Sequence, residues 1–302
     1  MPQLSPRLPR SAVNTQRTVR LLALLLLVSS AQAADEERIE RGRYVLHAGG
    51  CITCHTIENA TDADFLAGGR AMATPFGTFY SPNITPDPDT GIGGWSDAEF
   101  IAAFRKGRAP DGQRYYPAFP YSAYTGITDA DLLDLKAYLF SLEPVERPTP
   151  EHELSWFVFR IGMIFWNWLN FEPGVFQPDP EHSEPWNRGA YLVRHLGHCG
   201  ECHTPRTWTG GLDRRDYLAG NREGPSGERV PNITPDRNTG IGRWSESDIE
   251  FFLDIGMLPD GDFTGGSMGP VIRDNTSHLT TDDRRAIAVY LRSLTPLPSV
   301  VD

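Results

Sequence analysis

Two short stretches, CITCH at residues 51–55 and CGECH at residues 199–203, hold all four cysteines of the chain. The pattern C-x-x-C-H is typical of covalent attachment of a c-type haem. Two thiols one helical turn apart add to the two haem vinyl groups, and the adjacent imidazole reaches the iron as its proximal ligand. We therefore predict two covalently bound haems c, with these attachment and iron-ligand residues: Cys51, Cys54, His55, Cys199, Cys202 and His203.

Other uses of paired cysteines fit the sequence less well. Two C-x-x-C pairs that share a zinc ion usually lie about 15–20 residues apart, whereas these two pairs lie in separate halves of the chain. A thioredoxin-type motif needs a single pair in a βαβ context. Disulfides in an exported protein are a third alternative, although a bridge closed within one C-x-x-C would be strained.

A long internal repeat divides the chain. PNITPDPDTGIGGWS (82–96) recurs as PNITPDRNTGIGRWS (231–245), with 12 of 15 positions identical. Upstream, GRYVLHAGGC (42–51) corresponds to GAYLVRHLGHC (189–199), with one residue inserted in the second copy. Repeats at a fixed period indicate a duplicated structural unit. We predict one domain at 34–147, a linker rich in proline and aromatic residues at 148–183, and a second domain at 184–302.

The N-terminus has the features of a secretory signal peptide. A basic segment precedes the apolar run Leu21–Val28, which is followed by the small-residue sequence Ala31-Gln32-Ala33. Eight apolar residues are far fewer than the roughly 20 needed to span a bilayer. We therefore predict a signal peptide at residues 1–33, cleavage after Ala33 and export to the periplasm.

Composition excludes one large class of partner. The chain has 302 residues, of which 39% are hydrophobic, so both domains can bury a core. The formal net charge is −11. Nucleic acid requires a basic surface, and we predict no nucleic-acid partner.

The coarse pattern of the sequence is helical. Residues 35–48 have helical spacing and lead directly into the first C-x-x-C-H motif, while Ser96 and Thr128 precede acidic residues as helix N-caps do. A stripe with helical spacing is predicted to lie in the core; it consists of Leu132, Leu135, Tyr138, Leu139 and Leu142. Loops rich in glycine, proline and asparagine separate these helices.

The motifs GxYLxxxGxCxxCH and NITPDxxTGIGxW, with a C-terminal AYL or VYL helix, resemble the class I cytochrome c domain. They are most similar to the cytochrome c subunits of membrane-associated bacterial alcohol and sugar dehydrogenases. The resemblance implies a mainly α protein of two tandem class I cytochrome c domains, each wrapped round one covalent haem. It also implies a periplasmic dehydrogenase as electron donor, a downstream acceptor, and work at the periplasmic face of the inner membrane. Those subunits usually have three haem domains, whereas this sequence has two C-x-x-C-H motifs.

In this family the sixth iron ligand is commonly a methionine thioether. The repeat places Met268 in that position in the second domain, with Met257 as the alternative, and Phe119 at the equivalent position of the first domain. Phenylalanine has no lone pair to donate. The first iron is therefore either open or water-bound, or the loop is rearranged, or it is bound by one of these residues: Met72, Tyr115, Tyr116, Tyr121 or His47. His47 is interpreted first as a helix-surface residue, and Trp95 and Trp244 are expected to bind the haem propionates with Asn83 and Asn232 nearby.

The linker contains an unusual aromatic segment, SWFVFRIGMIFWNWLNF at residues 155–171. One interpretation is an interfacial element, Trp156–Phe171, that contacts a membrane or a partner. The other is an aromatic clasp packed between the two haem domains.

The sequence favours an electron carrier over a catalyst. No acid–base or nucleophile constellation lies outside the haem motifs, and we predict no catalytic residue. The function expected is electron transfer from a partner dehydrogenase to the respiratory chain. The alternative is a haem enzyme or gas-binding protein that uses an open site on the first haem.

Overall fold

Helices dominate the computed structural model, which describes residues 15–224 and 227–301. The predicted mainly α class is confirmed. The first half contains α1 (Thr15–Ala48), α2 (Cys51–His55), α3 (Asp97–Lys106), α4 (Tyr121–Tyr124) and α5 (Asp129–Phe140). Next come α6 (Gly162–Asn170), α7 (Glu184–Tyr191), α8 (Gly200–His203), α9 (Glu246–Ile255), α10 (Met268–Asp274) and α11 (Thr281–Ser293). Short 3-10 turns occur at Asp62–Asp64, Arg214–Asp216 and Thr276–His278.

The repeat is visible in the way corresponding helices begin. Ser96 accepts a hydrogen bond from the backbone of Glu99, and the Glu99 carboxylate accepts one from the backbone of Ser96. Ser245 and Asp248 form the same capping box at the start of α9. Such boxes satisfy amide groups that have no partner within the helix. The predicted N-cap at Thr128 is also confirmed, by a bond from the backbone of Asp131.

The first and last helices of each half cross at a glycine. A Cβ atom added to Gly42 would lie 1.9 Å from the carbonyl oxygen of Asp134, and one added to Gly189 would lie 1.9 Å from that of Ala286. Only glycine allows backbones to approach this closely. The predicted stripe on α5 faces this crossing, with Leu132, Leu135 and Leu139 buried in the core and Tyr138 and Leu142 packed at its edge.

A small antiparallel sheet was not predicted from the sequence. It consists of β1 (Ala71–Thr74), β2 (Gly77–Tyr80) and β3 (Glu153–Leu154), in that order. β3 comes from the segment predicted to be a linker, so the linker begins by pairing with the first half. This sheet is hard to predict from local sequence, because β3 has only two residues and its pairing depends on partners distant in sequence.

The inserted residue of the second copy is accommodated by a π-helix at Leu192–Leu196, directly after α7. The amide of Gly197 donates to the carbonyl of Leu192, five residues earlier, at 2.7 Å. A π-turn contains one more residue than an α-turn. Tyr191 and Cys199, at either end of this segment, therefore keep their structural roles although seven residues lie between them, instead of the six between Tyr44 and Cys51.

The two halves of the chain pack against each other through reciprocal contacts, in which a tyrosine of each half bonds to an aspartate of the other. The hydroxyl of Tyr44 in the first half bonds to Asp283 in the second, and that of Tyr191 bonds to Asp131. His47 stacks on His278 with ring centroids 3.7 Å apart, and its Nδ1 lies 2.7 Å from the carbonyl oxygen of Asp274. The surface interpretation of His47 is therefore wrong, because the ring lies in the interface between the halves.

The predicted signal peptide falls partly outside the described residues. Helix α1 passes through Ala33 without a break, and cleavage there stays a prediction. Among the residues that the structure describes, no helix is both long enough and apolar enough to cross a membrane.

Candidate haem-attachment sites

Each C-x-x-C-H motif forms about one helical turn. The first coincides with α2, and the second begins one residue before α8. All four thiols are free, so the structure does not support the disulfide alternative. Burial raises the pKa of both Cys51 and Cys199 to about 12, which keeps these thiols protonated at neutral pH. Cys202 behaves in the same way, with a pKa raised by burial to about 11.

The two histidines are held in one orientation by the repeated PNITPD segment. Nδ1 of His55 lies 2.8 Å from the carbonyl oxygen of Pro82, and Nδ1 of His203 lies 2.8 Å from that of Pro231. A carbonyl only accepts, so Nδ1 must carry the proton and Nε2 keeps its lone pair. Burial lowers the pKa of both imidazoles, which favours the neutral form. The donor set therefore fits an iron porphyrin attached through two thioethers. When bound, the haem supplies one-electron Fe(III)/Fe(II) chemistry.

Sequence reasoning missed the role of these two prolines, because their contribution is a backbone carbonyl, which carries no signal in the sequence of side chains. The two asparagines expected near the propionates also have protein partners. Asn83 donates a hydrogen bond of 2.7 Å to the carbonyl of Val145 and accepts one from the backbone of Thr85. Asn83 and Asn232 are both almost fully buried. Asn232 makes the same two bonds, to Leu297 and from Thr234. The side chains therefore tie the loop to the chain that follows the last helix of each half.

The two predicted distal positions are equivalent in the structure. A β-bridge joins Arg108 to Arg114 in the first half, and one joins Met257 to Phe263 in the second. Phe119 and Met268 each follow their bridge by five residues. Met268 begins α10 and is half-buried.

Phe119 lies within a cluster of aromatic rings. Its ring centroid is 5.3 Å from that of Phe104, 5.5 Å from that of Tyr115 and 5.6 Å from that of Tyr124. Edge-to-face contacts at such distances are favourable. The side chain is thus held by packing in the position where the second half has a thioether.

Other candidate ligands of the first iron have partners within the protein. The hydroxyl of Tyr121 donates to the Oδ1 atom of Asn167 at 2.6 Å, and Tyr116 packs against Phe79. Met72 lies on β1, directly opposite Phe79 on β2. The contacts of these residues are explained by packing, and none of these contacts indicates a bond to iron.

The interface brings the two attachment motifs close together through Tyr124. Its buried hydroxyl donates a hydrogen bond of 2.5 Å to the carbonyl oxygen of Gly49, two residues before Cys51. The ring of Tyr124 meets that of His198, which directly precedes Cys199, at 5.1 Å between centroids. Ser122 reaches Glu201, inside the second motif, at 3.2 Å. The side chain of Tyr124 therefore contacts a residue just before each attachment motif.

A fold of this kind round C-x-x-C-H motifs with a carbonyl-bound histidine defines a c-type cytochrome. The family described as cytochrome c matches residues 39–143. A protein named "Diheme cytochrome c-type" from Cereibacter sphaeroides is 43% identical over 257 residues, which cover 83% of this chain and 84% of the relative. The chain belongs to the cytochrome c family and binds haem c. The homologues that are cytochrome c subunits of dehydrogenases are electron-transfer proteins and not catalytic enzymes.

Two further relatives are subunits of dehydrogenases. The "Fructose dehydrogenase cytochrome subunit" of Gluconobacter japonicus is 40% identical over 267 residues, or 87% of this chain and 54% of the relative. The "Gluconate 2-dehydrogenase cytochrome c subunit" of Pantoea cypripedii is 39% identical over 289 residues, or 91% of this chain and 64% of the relative. The chain thus spans between half and two thirds of the length of these two subunits.

Proposed function

We propose that this protein is a periplasmic dihaem cytochrome that carries electrons from a partner dehydrogenase to the respiratory chain. Cys51, Cys54 and His55 would hold one haem, and Cys199, Cys202 and His203 the other. The single observation that supports this most strongly is that both motifs have the same histidine–proline geometry. A protein with one functional haem would have no need to preserve that bond in its second copy.

The proximity of the two motifs supports transfer within the chain. Tyr124 contacts residues that precede both attachment sites, so electrons entering at one haem have a packed, protein-filled route to the other. Met268 would be the distal ligand of the second iron. A thioether favours Fe(II) and raises the potential, so the second haem would be the more oxidising and would act as the exit.

The dehydrogenase and the downstream acceptor are proposed from the names of the two relatives that are dehydrogenase subunits. The predicted export signal supports a location in the periplasm, at the periplasmic face of the inner membrane. The acidic character of the whole chain suits docking to a partner of complementary charge.

Haem stoichiometry is tested first. After acid–acetone extraction, mass spectrometry should show two haem groups retained by the chain, and Cys51→Ser combined with Cys54→Ser should leave one. The matched variant, Cys199→Ser with Cys202→Ser, should leave the other. Recovery of free haem, or of bound zinc, would contradict the proposal.

Electron transfer is tested separately. A tagged copy expressed in the native host should copurify with a dehydrogenase, and the substrate of that enzyme should reduce the haem absorption bands. The alternative function predicts a different result, in which the isolated protein binds carbon monoxide at the first haem and turns over a substrate without a partner.

A further inference from the structure

The linker helix α6 and the residues around it expose an unusual number of large apolar side chains. Trp156 is 94% exposed, Trp168 is 81% exposed and Trp208 is 95% exposed. They are accompanied by further exposed side chains on and before α6, among them Ile161, Phe165 and Leu169. We call these six residues the aromatic face. Monomeric proteins rarely expose apolar patches of this extent unless the patch binds something.

The aromatic face is held firmly in place by the opposite side of α6. Trp166 donates from its indole nitrogen to the carbonyl of Thr209 at 3.0 Å, and the buried Asn167 accepts from Tyr121. Arg160, just before the helix, donates to the carbonyl of Arg114 at 2.8 Å. The clasp interpretation of the linker therefore describes the inner side of the helix. The outer side has no partner among the described residues of the chain.

Cationic side chains border the aromatic face. A shallow groove beside Ile164 and Trp168 is lined by Lys106, Arg108 and Arg114, and no acidic side chain lines it. None of these three cations lies within salt-bridge distance of an acid in the part of the chain that the structure describes. They form a local positive patch on a chain of net charge −11.

The repeat shows that the fold does not require these cations. The equivalent β-bridges and the equivalent ends of α3 and α9 place Ile255, Met257 and Phe263 where the first half has the three cations. Both sets occupy the same backbone positions, so the fold accepts uncharged side chains there. They are found only in the half whose neighbouring helix carries the aromatic face.

We propose that the aromatic face and the three cations beside it form a docking surface for a bilayer that contains anionic phospholipid. Tryptophan side chains partition into the headgroup region, where the ring is in an apolar environment and the indole N–H can still bond. Lysine and arginine next to them pair with lipid phosphates. An acidic protein needs such a local reversal of charge to approach an anionic membrane. This inference deepens the proposed membrane location but is independent of the electron-transfer chemistry.

The test uses the exported holoprotein and sedimentation with vesicles. The protein should bind vesicles of phosphatidylcholine mixed with phosphatidylglycerol, and this binding should weaken at high salt. Binding to vesicles of phosphatidylcholine alone should be much weaker. Lys106→Gln, Arg108→Gln and Arg114→Gln combined should weaken binding by about a hundredfold, since each cation near the surface contributes about fivefold. Trp168→Ala should weaken it at all salt concentrations, and brominated lipid should quench the tryptophan fluorescence of the parent protein more than that of this variant.

Matched controls come from the second half of the chain. Arg229→Gln, Arg237→Gln and Arg243→Gln combined remove the same charge from exposed positions and should leave more binding than the first triple does. Phe263→Ala removes an exposed ring and should change nothing. Unaltered haem spectra and circular dichroism establish that the variants are folded. Binding that persists in the first triple and in Trp168→Ala would place the membrane contact elsewhere and overturn the proposal. Failure to bind either vesicle, with a protein partner captured through Trp168 instead, would overturn it too.

Discussion

Tyr191 and Asp131 are joined by a hydrogen bond between the two halves of the chain, and Tyr44 and Asp283 are joined by the same bond in the opposite direction. Each hydroxyl also accepts from the backbone amide of an N-cap threonine, at 3.2 Å in both cases. The duplicated domains thus face each other through equivalent surfaces, as the subunits of a two-fold dimer do. This arrangement brings the two attachment motifs together.

Removal of either hydroxyl should weaken this interface. Tyr44→Phe and Tyr191→Phe should each lower the free energy of unfolding by about 1–3 kcal/mol, because each leaves a carboxylate and an amide short of a partner. Denaturant titration followed by circular dichroism measures the change. Tyr138→Phe is the matched control, since its hydroxyl bonds to none of the described residues, and it should have little effect. Equal losses in all three variants would show that the reciprocal bonds contribute nothing specific.

Asp283 should make the stability of the interface depend on pH. Burial opposes ionisation of this carboxyl, but bonds from Arg188 and Tyr44 hold its pKa below the ordinary value. A depressed pKa contributes stability above the unfolded-state pKa of about 4, and the contribution is lost as pH falls through the folded-state value. Asp283→Asn should therefore cost about 1–3 kcal/mol at pH 7, and the difference from the parent should shrink below about pH 4. A difference that stays constant to pH 3 would contradict this assignment.

The contact between Gly126 and His195 should not tolerate a side chain. A Cβ atom added to Gly126 would lie 2.1 Å from Nδ1 of the histidine, which itself lies 2.8 Å from the carbonyl oxygen of Ala123. Gly126→Ala should destabilise the holoprotein by about 1–3 kcal/mol through overpacking. Gly94→Ala provides the control, because no heavy atom lies within 4 Å of its added Cβ. Thermal unfolding of the two variants, monitored at the haem bands, compares them directly.

Met268 should be detectable as an iron ligand by spectroscopy. Met268→Ala should abolish the methionine–iron charge-transfer band at the red end of the spectrum and lower one of the two potentials, because a thioether that favours Fe(II) is lost. Met257→Leu is the control and should change neither property. A band that survives in Met268→Ala and disappears in Met257→Leu would reverse the assignment.

Phe119 should make the two haems unequal. Without a thioether the first haem is expected to have the lower potential, and each ~59 mV of difference corresponds to a tenfold shift in the one-electron equilibrium. Phe119→Met should restore methionine ligation and bring the two potentials together in a spectroelectrochemical titration. A parent protein whose first haem already titrates as a histidine–methionine site, and a substitution without effect, would show that another residue such as Met72 is bound.

Much of the site could be predicted from local sequence. The attachment residues follow from a five-residue pattern whose chemistry fixes the spacing, and the N-caps at Ser96 and Thr128 follow from contacts within one helical turn. The distal position of Phe119 follows from the repeat, since each copy serves as an alignment for the other. The roles of Pro82 and Pro231 could not be predicted, because a backbone carbonyl carries no signal in the side-chain sequence. The position of His47 was predicted wrongly for a related reason: helical spacing does not show which face a second domain will cover.

The sequence by itself predicted the covalent chemistry and determined the helical class and the internal repeat, because each depends on residues close together in the chain or on a comparison of the chain with itself. Only the tertiary structure decided how the two halves meet. Tyr44, Tyr124 and Tyr191 are ordinary helix residues until folding brings Asp283, His198 and Asp131 beside them. The same holds for the linker, where the pattern of aromatic residues was compatible with either a clasp or an exposed face. Packing resolved this because Trp166 and Asn167 found partners distant in sequence, and the adjacent Trp168 was left pointing to the solvent.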